Sequence, residues 1–202
     1  MAEKKKFRIS YNSPVVLTLA VMSLAALFLG KITNGWTTHH LFSVYRSSLL
    51  NPLTYLRLFT HVIGHANLEH FVGNFTLILL VGPMIEEKYG SGNLAIMTAL
   101  TALITGILHS IFFPNVALCG ASGICFMLIM LSSFSTAKKE KGIPLTIILV
   151  AIFYIGGEIV TALTVHDNIS QFGHIIGGIC GGGFGYLLKK PDKTDYRTYL
   201  SE

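Results

Sequence analysis

Six long apolar blocks constrain this chain more than any other feature of its sequence. A helix needs about 20 mostly apolar residues to cross the hydrocarbon core of a bilayer, which is about 30 Å thick. Only 12% of the residues are charged, whereas about 25% is usual in a soluble domain. The sequence therefore predicts an all-α membrane protein built as a six-transmembrane-helix bundle. The predicted spans lie near residues 14–34, 67–85, 93–113, 121–136, 143–163 and 171–188.

Basic residues are concentrated on one side of this six-span arrangement. Of the 15 lysines and arginines, only Lys31, Arg46 and Arg57 would fall on the other side. Cytoplasmic connections are enriched in Lys and Arg, so both termini are expected in the cytoplasm. We predict tails at 1–13 and 189–202 around one membrane domain at 14–188, in the plasma (cytoplasmic) membrane of a bacterium. The basic tails indicate contact with the anionic headgroups of the lipid bilayer and not with nucleic acid.

The connection between the first two spans, residues 35–66, is much longer than the others. Connections of this length without regular structure are uncommon in compact domains and are usually functional or disordered. This one is rich in aromatic and aliphatic residues, among them Trp36, which argues against disorder. We therefore expect a folded loop that lies in the outer membrane interface.

Polar residues recur at the same end of three predicted spans. The second, fourth and sixth spans run in the same direction, so their first turns come to a similar depth near the outer face. These turns contain His70 and Asn74, then Ser122, then His174. His70 and Asn74 are four residues apart and project from one helix face. Because unpaired polar groups are costly in hydrocarbon, these side chains should face the bundle interior or a wet cavity.

Small residues mark the faces on which two of these spans would meet. Helices in membranes approach closely where glycines lie four apart on one face. The sixth span carries one such pair, and two glycines flank the serine of the fourth span: Gly177 and Gly181, and Gly120 and Gly123. Packing of these two spans would bring His174 towards Ser122.

The grouping favours nucleophilic catalysis. Ser122 would attack a carbonyl carbon, and His174 would take the hydroxyl proton and return it to the leaving amine. The oxyanion that forms needs preorganised donors. Candidates are the Ser122 backbone N–H at a helix N-terminus, the His70 ring and the Asn74 amide. No acidic residue is well placed to orient His174, so the sequence predicts a dyad.

Three motifs in these spans resemble those of the rhomboid intramembrane serine proteases. They are Gly-Ala-Ser-Gly at 120–123, His70-Phe-Val-Gly-Asn74 as the family's His-x-x-x-Asn, and His174 with glycine three residues on. Leu56-Arg57 is similar to the family's Trp-Arg pair with the tryptophan replaced. The stretch "EEKYGS" after the second span is also similar to the family's segment there. The resemblance covers roughly residues 14–188.

The resemblance to rhomboids implies a function as well as a fold. It implies a catalytic dyad of Ser122 and His174, with His70 and Asn74 in the oxyanion hole, and no metal or other cofactor. The substrates would be single-span or other transmembrane proteins, cut near the outer end of their membrane segments. Phe126 stands where the family often has a tyrosine that stacks with the histidine. We expect Phe126 and Cys119 to line the site.

Other interpretations of the same residues are open at this point. A rhomboid-like protein that binds membrane clients without cutting them would keep the fold, but such proteins typically lack the serine or the histidine. A metal site or a transporter would use the histidines near the outer face: His61, His65, His70 and His174. No carboxylate pair or His-x-x-x-His repeat accompanies them.

The remaining polar residues of the apolar blocks are interpreted as structural. Glu158, inside the fifth span, is expected to be a hydrogen-bonded or protonated carboxylate without a catalytic role. The cysteines are read as small apolar filler: Cys119, Cys125 and Cys180. Four further histidines are expected at the membrane interface without chemistry: His39, His40, His109 and His166.

Overall fold

The computed structural model describes residues 11–135, 145–150, 152, 153, 156 and 169–188. Nearly all of the two predicted tails, most of the fifth apolar block, Glu158 and His166 lie outside these residues. The helices of the described residues are α1 Pro14–Ile32, α2 Trp36–Leu41, α3 Pro52–Thr60, α4 Leu68–Tyr89, α5 Ser91–Phe112, α6 Ser122–Ser135, α7 Leu145–Val150 and α8 Ile169–Leu187.

The all-α prediction is confirmed for the described residues. Helices α1, α4 and α5 are each long and apolar enough to cross a membrane. Helix α6 is apolar but has only 14 residues, fewer than the ~20 that a crossing usually takes. Its core side chains are almost completely buried by the helices around it: Ile124, Met127, Leu128 and Leu131. Helix α6 is therefore the central helix of the bundle.

Helix α4 begins and ends at residues suited to those positions. The Asn67 side chain accepts a hydrogen bond from the backbone N–H of His70 at 2.8 Å and so caps the first turn. The helix ends before Gly90, whose φ of +84° favours glycine. The sequence predicted an end near residue 85, where the apolar run stops. In the structure the helix continues to Tyr89, and its last turns include a buried acidic residue.

That acidic residue is Glu86, which is 3% exposed. Its carboxylate accepts hydrogen bonds from the backbone N–H groups of Val15 at 2.9 Å and Val16 at 3.0 Å. These N–H groups belong to the first turn of α1 and have no partner within their own helix. Glu86 therefore caps α1 from a neighbouring helix and joins the start of α1 to the end of α4.

Helices α6 and α8 meet along a row of glycines, and no other pair of described helices has a more extensive contact. A Cβ atom added to Gly177 would lie 2.1 Å from the backbone oxygen of Gly123, and one added to Gly181 would lie 2.2 Å from that of Met127. Such distances leave no room for a side chain. The absence of side chains at these two positions is what lets the helix backbones touch.

The chain before α4 is folded against the segment that leads into α6. Val44 and Leu118 form an isolated antiparallel bridge, with N–H to O distances of 2.9 Å in both directions. Arg57 is buried, donates to the hydroxyls of Tyr45 and Ser47, and lies over the Tyr45 ring. Residues 35–66 thus contain two helices and an internal polar network at the end of the bundle where α6 begins.

His109, which was expected at the membrane interface, is packed inside the protein. It is fully buried, and its Nε2 lies 3.0 Å from the backbone oxygen of Val116. Its ring also stacks on Phe113, with 5.3 Å between ring centroids. These two contacts join His109 to the connection that follows α5.

Candidate active site

Ser122 is the first residue of α6 and is half-buried. The chain approaches it through Gly120, whose φ of +131° is a conformation that residues with a side chain rarely adopt. The N–H of Gly120 donates to the backbone oxygen of His61 at 2.9 Å. The motif at 120–123 is therefore a glycine-dependent turn that ends with the serine at a helix N-terminus.

His70 and Asn74 both lie beside this turn. A Cβ atom at Gly120 would be 2.7 Å from Nε2 of His70 and 3.7 Å from Nδ2 of Asn74. The two side chains are one turn apart on α4 and point at the same short segment. A glycine is needed at position 120 for two reasons. Its backbone conformation disfavours other residues, and a side chain there would collide with His70.

His174 comes to the same place from α8. Its ring stacks on Phe126, with 4.4 Å between centroids and 8° between planes. Phe126 is four residues after Ser122, one turn further along α6. The backbone oxygen of Gly173 lies 3.3 Å from a Cβ position on Gly123. Two residues close to Ser122 on α6 therefore face this part of α8: Phe126 contacts His174, and Gly123 lies against Gly173.

The residues singled out in the sequence thus gather around one turn. His174 lies within electrostatic range of His70. Ser122, His70 and His174 are each half-buried, whereas Asn74 is 8% exposed. Three helices, α4, α6 and α8, contribute to this cluster.

The structure adds two residues that the sequence interpretation missed. His65 is 1% exposed, and its Nε2 lies 3.1 Å from Nδ2 of Asn74. Cys125 is also buried, and its Sγ lies 3.4 Å from the backbone oxygen of Asn74 and 3.8 Å from Oδ1. The sequence interpretation placed His65 in the connection 35–66 and treated Cys125 as apolar filler, so neither was linked to Asn74.

His61 and His65 both use their ring nitrogens within the protein. Nδ1 of His61 lies 3.1 Å from the backbone oxygen of Arg57, and Nε2 lies 3.3 Å from the Thr105 hydroxyl. Nδ1 of His65 lies 3.2 Å from the backbone oxygen of Ile63. Burial lowers the pKa of each of the two histidines to about 4. Both are therefore neutral near pH 7.

Cys119, which precedes the turn, is half-buried beside the site. Burial raises the pKa of its thiol, and this effect exceeds the opposing one of a hydrogen bond with Ser43. Since the thiolate is the nucleophilic form, a raised pKa makes Cys119 a poorer nucleophile than a free cysteine. Its place is compatible with lining the site.

Comparison with known proteins assigns the chain to a family. The model of the rhomboid domain matches residues 52–191, which is more than half of the chain and includes all four gathered residues. The chain belongs to the rhomboid family. This rhomboid is 30% identical over 192 residues to the rhomboid protease GluP of Bacillus subtilis, and the match covers 90% of the chain and 36% of that relative.

Two eukaryotic relatives show the breadth of this family. The rhomboid-type serine protease 2 of Eremothecium gossypii is 25% identical over 194 residues, covering 92% of this rhomboid and 70% of the relative. The rhomboid-related protein 2 of Mus musculus is 26% identical over 195 residues, and the match covers 87% of this rhomboid and 65% of the relative. The chain thus spans about a third to about two thirds of the length of these relatives. Membership and the apolar helices together make it a membrane protein.

Proposed function

We propose that this rhomboid is an intramembrane serine endopeptidase in which Ser122 and His174 form a catalytic dyad. One observation carries the proposal. The helix that starts at Ser122 meets α8 along bare glycine backbone, and His174 stacks on Phe126 one turn from the serine. The names of the relatives, rhomboid protease and rhomboid-type serine protease, support the same reaction class.

The first step would be acylation of the serine. His174 takes the proton from the Ser122 hydroxyl as its oxygen attacks the scissile carbonyl carbon. The resulting tetrahedral intermediate collapses when the C–N bond breaks, and His174 donates the same proton to the leaving amine. Stacking on Phe126 fixes the plane of the imidazole for both transfers.

The negative charge on the carbonyl oxygen would be stabilised by donors around the turn. The first N–H groups of α6 have no partners within the helix and carry the positive end of its dipole. His70 and the Asn74 amide lie beside Gly120 and add side-chain donors. Preorganised donors of this kind are usually the largest single contribution to acyl-transfer catalysis.

The second step would be hydrolysis of the acyl-enzyme. Water enters at the half-buried side of the cluster, loses a proton to His174 and attacks the ester carbonyl. The Ser122–acyl bond then breaks, the proton returns to the serine oxygen, and the product leaves as a carboxylic acid that ionises in water. Neutral His174 is needed in both steps, so activity should fall on acidification.

The membrane setting completes the proposal. We infer a six-span bundle with both termini in the cytoplasm, in the plasma membrane of a bacterium. The site then opens near the outer face, at the end of the bundle that carries residues 35–66. The substrates would be single-span or other transmembrane proteins, cut where a membrane segment emerges and can adopt an extended backbone.

Cleavage of a tagged single-span substrate in liposomes tests this function. The wild type, Ser122→Ala and His174→Ala are compared, with EDTA added to a separate wild-type sample. The proposal predicts cleavage by the wild type, with or without EDTA, and loss of cleavage in both variants. Cleavage by Ser122→Ala would contradict the dyad. A wild type that binds but never cuts a range of substrates would favour a non-catalytic client-binding role instead.

A further inference from the structure

The Asn74 amide is contacted at both ends by side chains that the proposed mechanism does not use. At one end, Nδ2 of Asn74 lies 3.1 Å from Nε2 of His65. At the other end, Sγ of Cys125 lies 3.8 Å from Oδ1 and 3.4 Å from the backbone oxygen of the same asparagine. His65 and Cys125 come from different parts of the chain, so two separate elements contact this asparagine.

The hydrogen-bond chemistry determines which tautomer His65 adopts. Its Nδ1 lies 3.2 Å from the backbone oxygen of Ile63. A carbonyl oxygen only accepts hydrogen bonds, so Nδ1 carries the ring proton and Nε2 is left with a lone pair. That lone pair accepts from the Asn74 NH2 group. The Cys125 thiol has one proton to donate, and its nearer acceptor is the Asn74 backbone oxygen at 3.4 Å. Its longer contact with Oδ1, at 3.8 Å, agrees with the amide orientation that His65 specifies.

The ring of His65 is itself held by packing. It makes edge-on contacts with His70 and Phe71, at centroid distances of 5.1 and 5.4 Å, and a tilted contact with Phe75 at 5.7 Å. All three belong to α4, the helix that carries Asn74. His65 therefore contacts both side chains that lie beside Gly120. It makes an edge-to-face ring contact with His70 and a hydrogen bond with Asn74.

We propose that His65 is a positioning residue for oxyanion stabilisation, acting through the Asn74 amide, with Cys125 contacting the other end of that amide. This inference rests on the proposed protease function. One N–H of Asn74 binds His65, so the second N–H is directed away from it, towards the space beside Gly120. An amide without this anchor can rotate, and its carbonyl oxygen would then face the developing negative charge and oppose the reaction.

The test compares two replacements of His65 with different chemistry. His65→Gln places a carbonyl oxygen where Nε2 was and keeps an acceptor for Asn74. His65→Leu fills the same space without an acceptor. His109→Leu is the matched control, since His109 is another fully buried histidine of this bundle end and contacts Val116 and Phe113 instead. Thermal unfolding of each variant in detergent separates stability from catalysis.

The expected result is a loss in kcat with little change in KM. His65→Leu should lower kcat on the order of 10- to 100-fold, somewhat less than the ~10²- to 10³-fold loss usual for deletion of an oxyanion donor. His65→Gln should recover most of the loss. In an Asn74→Ala background, His65→Leu should cost less than about threefold, because the residue it positions is absent.

Four results would overturn the inference. One is a wild-type kcat in His65→Leu, and the second is a kcat in His65→Gln no higher than in His65→Leu. The third is a double variant with Asn74→Ala in which the two fold-losses in kcat simply multiply. A loss equal to that of His109→Leu at equal thermal stability would show a structural role and would also overturn it.

A measurement without turnover separates this inference from the protease proposal. Nitrogen NMR of histidine-labelled protein should show His65 with a protonated Nδ1 and an unprotonated Nε2. The side-chain amide signal of Asn74 should shift in His65→Leu and return towards its original position in His65→Gln. A protonated Nε2, or an Asn74 signal that ignores both substitutions, would overturn the positioning role even in a protein that cleaves. The NMR pattern without any cleavage would contradict only the protease function.

Discussion

The imidazole of His174 lies face to face with the phenyl ring of Phe126, at 4.4 Å between centroids and 8° between planes. One face of the residue that would serve as the base is therefore covered by an aromatic ring. The resemblance to rhomboids implies a tyrosine at this position in many members. Stacking survives its replacement by phenylalanine, because the interaction needs the ring and not the hydroxyl.

Removing the ring of Phe126 should impair catalysis more than folding. An aromatic pair contributes about 0.5–1.5 kcal/mol beyond the area that it buries. We expect Phe126→Leu to lower kcat about 3- to 10-fold, which corresponds to that range. Phe126→Tyr keeps the ring and should stay within about twofold of the wild type. Initial cleavage rates on one substrate test this prediction. Equal rates for Phe126→Leu and the wild type would show that the stacking does not contribute to catalysis.

The glycine contact between α6 and α8 makes a prediction about stability. Gly177→Ala places a methyl group 2.1 Å from the backbone oxygen of Gly123, so the helices must separate. Overpacking of this kind costs typically 1–3 kcal/mol. Gly183→Ala is the matched control on the same helix, since a Cβ there meets nothing within 4 Å. Unfolding midpoints should fall only for Gly177→Ala, and equal midpoints would refute the tight contact.

Glu86 should contribute to stability without contributing to catalysis. Glu86→Ala removes the acceptor for the Val15 and Val16 N–H groups, and two lost hydrogen bonds at a buried helix start should cost about 2–3 kcal/mol. The neighbouring Glu87 is exposed, so Glu87→Ala should change stability by less than about 0.5 kcal/mol. Folded Glu86→Ala should keep its kcat, and a kcat loss equal to that of Ser122→Ala would assign this carboxylate another role.

The buried histidines predict how stability depends on pH. His61 and His65 have folded-state pKa values of about 4, below the ordinary 6.5. Between these values the unfolded chain binds more protons, so stability is fully present above about 6.5 and is lost as the pH falls towards 4. Each histidine accounts for a loss on the order of 3 kcal/mol. His61→Gln should flatten the curve of unfolding free energy against pH, whereas an unchanged slope would contradict this assignment.

The sequence predicted the helices that depend on long apolar runs, but not all of their ends. Helix α1 was expected at 14–34 and spans Pro14–Ile32, while α4 was expected at 67–85 and extends to Tyr89. The end of α4 was predicted too early because an apolar run is taken to stop at a charged residue, here Glu86. The structure buries that carboxylate on the backbone of α1, a tertiary contact that composition does not reveal.

The site was predictable where residues repeat at helical spacing and was missed where the chain is irregular. His70 and Asn74 lie one turn apart, and Gly177 and Gly181 do the same, so orientation and counting place them. His65 lies in a connection, where no periodicity says which way a side chain points. Its contact with Asn74 becomes visible only once residues 61–67 are folded against α4.

The most direct test of the central claim is covalent labelling by a serine-directed fluorophosphonate, followed by peptide mass mapping. Phosphonylation forms a bond between the Ser122 oxygen and phosphorus while fluoride leaves, and it requires the activation that His174 is proposed to supply. We expect one adduct on Ser122, no adduct in Ser122→Ala, and labelling slowed at least about 100-fold in His174→Ala. An adduct on another residue, or labelling of Ser122 at the wild-type rate in His174→Ala, would contradict the dyad.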